Sequence, residues 1–269
     1  MLSRLNQEST KPGLFITGTD TSVGKTLVAC AIAAAIRRQV PGLRLGVSKP
    51  FASGCRHDRE GLVHGDAEAL AHFADCKQPL NVINPIRFAA PLAPAVAAQQ
   101  AGEPIDWAAL ERNLALLERE SDALLMEGLG GLMVPLDPDR PRYTVLDFIV
   151  AVGYPVVVVV RAGLGTLNHT AMTARLLKQA GCPVAGLVIN RYLVDPTGAD
   201  DPSIASNRVW LEKLTGVKTL AVVPKVDPVG AQPEHGRIDP AVLEAVEMTY
   251  WPDVLGRPAV SMARKGIER

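Results

Sequence analysis

The sequence predicts an α/β fold: a doubly wound, mostly parallel sheet with helices on both faces, carrying the phosphate loop of an NTPase-like domain. Three observations predict it. Gly24-Lys25-Thr26 opens a helical stretch directly after the short apolar run Leu14-Phe15-Ile16-Thr17, the arrangement in which a Gly-rich turn cradles phosphate. The run PVVVVV over 155–160 lacks polar alternation, as a strand buried on both faces does. Short β-rich runs alternate with longer helical runs, and a βαβαβ order with right-handed crossovers builds an open parallel sheet.

In chain order, the first strand is the run at 14–17. The Ala-rich stretch 26–39 reads as a helix that stops at Pro41-Gly42. A second strand follows over 43–49 and a short helix over 66–74. Residues 75–105 carry Pro79, Pro85, Pro91, Pro94 and Pro104 and read as irregular. Leu110, Leu114 and Leu117 recur at helical spacing within 106–120. The strand 122–126 runs into Glu127. After the valine run come a helix over 166–180, a strand over 184–189, a helix over 203–214 and a strand over 219–223. A single domain over 13–250 is expected, with an extension over 1–12 and a loosely attached tail over 251–269.

Composition narrows the function. The chain has 269 residues, 48% of them hydrophobic, and a formal net charge of zero. Bulk nucleic-acid binding wants a basic face, which this balance disfavours. Cys30, Cys55, Cys76 and Cys182 form no Cys-x-x-Cys pair, so free thiols in a reducing compartment are expected. The N-terminus is polar and the longest central apolar run is too short for a bilayer. A soluble cytoplasmic protein without membrane or nucleic-acid partners is expected.

In such a sheet, ligands bind outside the carboxyl ends of strands, so candidate chemistry sits there. The first strand ends in TGTDTSVGKT. Its backbone N–H groups and the following helix N-terminus suit phosphate. Lys25 supplies charge for the outer phosphates and the Thr26 hydroxyl suits Mg²⁺. Five residues separate Gly18 from Gly24, one more than in the common Gly-x-x-x-x-Gly-Lys-Ser/Thr pattern. This makes a slightly larger loop. After the second strand, Lys49 stands close to Ser53 and Gly54, placed for a charged substrate group or simply for solvent. Asp66 opens a helix, as its N-cap or as a carboxylate near Mg²⁺. Glu127-Gly128-Leu129-Gly130-Gly131 puts a carboxylate where a phosphate-loop enzyme needs one, and its glycines allow close backbone approach. Gly163-Leu164-Gly165-Thr166-Leu167-Asn168 opens a second helix, a ready anion site; His169 reads as a structural residue. Asn190 ends a strand, either reading a purine edge or making a turn.

Together these stretches resemble the dethiobiotin synthetase family. The resemblance rests on GTDTSVGKT, KPFASG, HGDAEAL, NPIRFAAPLAPAVAA, MEGLGGLMVPL, GLGTLNH and AGLVIN, in that order over roughly residues 13–225. It implies an ATP-dependent cyclo-ligase of biotin biosynthesis. 7,8-Diaminopelargonate takes up CO₂ as a carbamate, ATP phosphorylates the carbamate, and the second amine closes the ureido ring. It implies catalytic roles for Lys49 and Lys25, and Mg²⁺ held by Thr26, Asp66 and Glu127. ATP would meet Ser22, Val23, Gly24, Lys25, Thr26 and Leu27, then Asp66, Glu127, Gly128, Leu129 and Gly130, with Asn190, Arg191, Val223, Pro224 and Lys225 toward adenine. Thr21 and Ser53 would touch the substrate or its carbamate, and the backbone of Gly165, Thr166, Leu167 and Asn168 its distal carboxylate. A homodimer is implied.

Three features depart from the family pattern. Ser22 stands where many members carry Glu. Near Asn207 there is no Tyr of the kind that reaches a neighbouring subunit's substrate. The segment RYLVDPTGADDP after Asn190 is long. Other readings fit less well. A partitioning ATPase would carry an additional Lys early in the loop, where this chain has Thr19-Asp20-Thr21. An amidating synthetase needs a glutaminase domain for which there is no room. A non-catalytic nucleotide module would not keep Lys25, Lys49, Asp66 and Glu127 together.

Overall fold

The computed structural model describes residues 11–59, 61–193 and 201–257. The chain opens with β1 (Gly13–Gly18), α1 (Lys25–Gln39) and β2 (Leu45–Ser48). A small-element region follows: β3 (Phe51–Ser53), β4 (Arg56–Asp58), β5 (Gly61–Val63), α2 (Gly65–Ala74), α3 (Leu80–Ile83), β6 (Ile86–Phe88) and α4 (Pro94–Ala101). Then come α5 (Trp107–Glu120), β7 (Ala123–Glu127), the pair β8 (Pro135–Asp137) and β9 (Arg140–Thr144), α6 (Val145–Val152) and β10 (Val156–Arg161). The last part is α7 (Thr166–Gln179), β11 (Val184–Tyr192), α8 (Ile204–Thr215), β12 (Thr219–Pro224), the short pair β13 (Ala231–Gln232) and β14 (Arg237–Ile238), and α9 (Pro240–Glu247).

The central sheet has the order β12-β11-β10-β1-β7-β2, and every pairing in it is parallel. From β1 the chain moves outward to β2 and back to β7. It then passes over β1 to β10 and continues to the opposite edge. The winding reverses beside β1, so the crevice at the carboxyl ends of β1 and its neighbours is the natural ligand site.

The valine run shows why the sheet reads as it does. Val156, Val158 and Val160 face the layer holding Leu114 of α5, Phe148 of α6, Leu177 of α7 and Leu211 of α8. Val157 and Val159 face the other layer, with Ile32 of α1, Leu70 of α2 and Val242 of α9. All five are fully buried, each contributing roughly 1.5–3 kcal/mol relative to exposure. A strand with apolar neighbours on both sides has no use for alternation. Helix α1 is buried nearly all round; its alanines let it lie close under the sheet, and this holds the loop before it.

The structure departs from the sequence reading in two regions. Residues 75–105 are ordered as α3, β6 and α4. Pro94 sits in the first turn of α4, where its fixed φ favours the helix and its missing N–H costs nothing. The chain after Trp251 is also not loose up to residue 257. Trp251 is fully buried, its indole N–H donates to Val246 O at 2.8 Å, and Gly256 pairs with Gly13 through two backbone bonds of 2.8 and 3.0 Å. Among the described residues, no helix is long and apolar enough to cross a membrane, and all four cysteines are free.

Candidate functional site

The loop between β1 and α1 is built from two left-handed residues, Ser22 at φ 56 and Gly24 at φ 92. Gly24 is the N-cap of α1, with no side-chain cap and no acidic residue in the first turn. The N-terminal N–H groups of α1 therefore keep their capacity for an external anion. The loop is held from behind. Asn190, at the end of β11 and 1% exposed, donates Nδ2–H to Val23 O at 2.8 Å and accepts Arg191 N–H on Oδ1 at 2.9 Å. The Lys25 ammonium donates to Asp20 O at 2.8 Å and so folds over the loop.

Next to it lies a buried ionic cluster. Lys49, just past β2, places Nζ 2.7 Å from Asp66 Oδ2 and 2.7 Å from Glu127 Oε1, and 3.3 Å from Gly128 O. Thr26 donates its hydroxyl to the same Glu127 Oε1 at 2.8 Å. Asp66 is free for this because it is not the N-cap of α2. His64 takes that place, its Nδ1 accepting Asp66 N–H at 3.1 Å. Four elements far apart in sequence thus meet at one point: the start of α1, the end of β2, the start of α2 and the end of β7.

The electrostatics follow from burial and proximity. Burial pulls the Lys49 ammonium down, but Glu127 and Asp66 more than offset it and hold it above the usual lysine range. Burial pushes the Glu127 carboxyl up despite Lys49. Burial acts the same way on Asp66, which Lys49 nonetheless holds below its ordinary value. Lys25 has no carboxylate in contact. Burial, then repulsion from Lys49, lowers it to about 8. Cys30, the thiol within reach of this field, is pushed well up by burial and then by Glu127, so it is no nucleophile.

The Lys25 shift has a measurable consequence. The folded protein gives up this proton near pH 8 and the unfolded chain near 10.5, so folding stability rises with pH between those values. The charge that meets phosphate falls over the same range. Metal-free nucleotide affinity is expected to drop as pH is raised from about 7 to about 9, along a single titration, and Lys25→Arg to flatten the profile. An unchanged affinity across that range would show that Lys25 does not carry the phosphate charge.

A cavity of about 560 Å³ opens over these groups, lined by Thr21, Ser22, Gly24, Lys25, Thr26, Leu27, Lys49, Ser53, Asp66, Glu127, Leu129 and Gly130 among others. Of the other residues singled out from sequence, Val23 is buried behind the loop and Gly128 contributes its carbonyl to Lys49. Asn190, Arg191, Val223, Pro224 and Lys225 do not line this cavity, and neither do Gly165, Thr166, Leu167 and Asn168. Thr166 turns inward, toward Thr170 at 3.4 Å. His64, Phe51, Pro91, Val134 and Glu234 also belong to the wall and were not singled out. Phe51, His64, Pro91 and Val134 fall within stretches that carry the family resemblance, but as apolar or neutral neighbours they gave no chemical signal of their own; Glu234 comes from a segment without motif character. Part of the long segment after Asn190, residues 194–200, lies outside the described residues.

The donor set fits Mg²⁺, a hard cation that takes one or two carboxylates together with substrate phosphates. Thr26 Oγ1, Asp66 and Glu127 are all oxygen donors, and Glu127 Oε2 is buried without a hydrogen-bond partner. No group of three or more His, Cys, Asp or Glu suited to a metal occurs among the described residues, so this site would be completed by phosphate oxygens.

The chain as a whole is similar to known proteins. A family model described as an AAA domain matches residues 12–233. ATP-dependent dethiobiotin synthetase BioD from Anaeromyxobacter sp. (strain K) is 44% identical over 213 residues, 79% of this chain and 89% of that protein. The protein of the same name from Bacillus licheniformis is 35% identical over 226 residues, 84% of this chain and 91% of its own length. Among solved structures, a ParA family ATPase from Chlorobium tepidum TLS superposes with a TM-score of 0.52 at 14% identity, covering 91% of this chain and 98% of that one. A chain of the MinC:MinD cell division protein complex from Aquifex aeolicus gives 0.55 at 11% identity, with 87% of this chain and 92% of that one covered. At those identities the structural likeness speaks for the fold alone.

Proposed function

The chain belongs to the ATP-dependent dethiobiotin synthetase family, and from that premise we propose that it closes the ureido ring of dethiobiotin from 7,8-diaminopelargonate, CO₂ and ATP. The family makes it an ATP-dependent ligase of biotin biosynthesis. The single observation that carries the finer reading is the cluster in which Lys49 is held at 2.7 Å by both Asp66 and Glu127, beside Thr26 and Lys25. It offers charge and position, with no activated side-chain nucleophile, and that is what this chemistry requires.

One amine of the substrate takes up CO₂ and loses a proton, giving a carbamate. A carbamate oxygen attacks the γ-phosphorus of ATP, and the bond to the ADP oxygen breaks. The second amine then attacks the carbamoyl carbon, expels phosphate and gives up its proton. The loop from Thr21 to Thr26 and the N-terminus of α1 bind the phosphates. Lys25 sits against the transferring group. Lys49 serves the carbamate side, with its orientation fixed by two carboxylates. Thr21 and Ser53 position the diamine, and the start of α7 receives the distal carboxylate. Mg²⁺, held by Thr26, Asp66 and Glu127, would neutralise phosphate charge when bound. The same reading makes the protein a cytoplasmic homodimer.

The test is direct. Purified protein with ATP, Mg²⁺, bicarbonate and diaminopelargonate should release ADP and dethiobiotin in equal amounts. ADP release that ignores the diamine would instead favour a nucleotide switch, and no ADP release at all would remove the enzymatic reading.

A further inference from the structure

All three N–H donors of the Lys49 ammonium are engaged within the protein. An ammonium has three donors and no more. Asp66 Oδ2 and Glu127 Oε1 each accept one at 2.7 Å, and Gly128 O stands 3.3 Å away. The charge is compensated as well. Two carboxylates against one ammonium leave the group net negative, so Lys49 offers no positive field to an anionic substrate. The Thr26 hydroxyl donates to the same Glu127 Oε1 at 2.8 Å. The ammonium therefore stands among the oxygens that suit a hard divalent cation. The cluster has a closed end and an open one. Glu127 lines the cavity but is fully buried, and its Oε2 has no hydrogen-bond partner. The Asp66 side chain is 29% exposed and opens the cluster to the cavity.

Resting on the proposed Mg²⁺-dependent reaction, we infer that Lys49 is the stand-in cation of the metal site. It exchanges with Mg²⁺ on Asp66 and Glu127, and only that exchange frees it for the carbamate. Two carboxylates this close in a low-dielectric site need a cation between them, and Lys49 provides it. A divalent ion beside a retained ammonium would set three positive charges on two negative ones, at separations where like charges repel strongly. The phosphates of a nucleotide offset that repulsion, so metal and nucleotide enter together. Lys49, released from Asp66 and Glu127, then regains both its donors and its field. The carboxylates orient Lys49 first and pass to the metal afterwards. The device keeps the lysine idle toward substrate until the phosphoryl donor has arrived.

The test reads binding rather than turnover. Mn²⁺, a hard cation with oxygen preferences like those of Mg²⁺ and a paramagnetic signal, is titrated at neutral pH into wild type, Lys49→Met and Lys25→Met without nucleotide. Lys49→Met is expected to bind Mn²⁺ about 30-fold more tightly than wild type, or better. Saturating Mn²⁺ should raise the urea midpoint of Lys49→Met and leave that of wild type nearly unmoved. Lys25→Met controls for charge alone. Lys25 lines the same cavity but donates to Asp20 O and not to either carboxylate, so its loss should tighten Mn²⁺ far less. Equal affinity in wild type and Lys49→Met, or an equal gain in Lys25→Met, overturns the exchange. Wild type alone gives a second reading, valid even where Lys49→Met folds only with metal. ADP should tighten Mn²⁺ binding about 30-fold beyond the affinity of Mn²⁺ for ADP in solution, and reciprocally. Mn²⁺ bound as tightly without ADP as with it overturns the exchange alone. A wild type that takes up no Mn²⁺ even with ADP removes the metal from Thr26, Asp66 and Glu127, and the exchange with it. Ring closure stands or falls separately, on diamine-dependent ADP release.

Discussion

Replacing Lys49 by Met is expected to lower kcat by roughly 10³-fold or more and to destabilise the unliganded protein by about 3–5 kcal/mol. The two effects share one cause. Lys49 is the only cation in contact with Glu127 among the described residues, and Glu127 is fully buried. Met keeps the volume of the side chain but removes the charge, leaving a carboxylate in low dielectric with one hydroxyl donor, Thr26. The stability loss has a defined pH signature. The Glu127 carboxyl already stands above its ordinary value because of burial, and without Lys49 it moves higher. A group whose folded pKa is raised contributes stability below its unfolded pKa and loses it as pH rises through the folded one. The deficit of Lys49→Met should therefore be small in acid and deepen toward neutral pH. Urea unfolding across pH reads the stability and single-turnover ADP release reads the chemistry. A variant of near-normal kcat would take Lys49 out of the mechanism. A pH-independent deficit would mean that Glu127 is not what the ammonium compensates.

The same cluster shows what the sequence could and could not convey. Gly24-Lys25-Thr26 after an apolar strand and the PVVVVV run are local patterns, each governed by a few adjacent residues, and both appear in the structure as the phosphate loop and the central strand β10. Lys49 and Glu127 were legible because a parallel sheet sends its strand ends to one edge. Their mutual contact was not, since nothing in 49 or 127 states the register between β2 and β7. Asp66 carried two readings, cap or ligand, and the neighbouring His64 removes the first by occupying the cap. Pro94 misled because a proline in the first turn of a helix looks, in sequence, like one that breaks it. The wall at Glu234 and the grip of Asn207 on Ala162 join segments with no motif, where the signal is tertiary from the start. The resemblance to a known family supplied the reaction; the residues by themselves supplied a nucleotide site.

Gly24→Ala is expected to weaken nucleotide binding about 100-fold and to cost roughly 2–5 kcal/mol of stability, for two separable reasons. At φ 92 an L-residue is strained, and a Cβ at this position would lie 2.0 Å from Asn190 Nδ2. The clash forces Asn190 aside and breaks its bond to Val23 O, orphaning a buried amide. Asn190→Ala alone removes that bond without strain. In the double variant the clash has nothing to meet, so only the backbone strain and the lost bond remain. The double variant should then be no less stable than Gly24→Ala, and the cycle strongly non-additive; additive losses would mean that the two residues do not press on each other. The cycle also separates two roles for Asn190. Acting through Val23, it shapes the loop that meets the phosphates, and Asn190→Ala should weaken ATP and inorganic tripolyphosphate by the same factor. Acting on the purine edge, it should weaken ATP and leave tripolyphosphate unchanged. The bond of 2.8 Å to Val23 O and the burial of the amide behind the loop favour the first outcome, because a donor already committed to the backbone reaches adenine only by giving up the loop it holds.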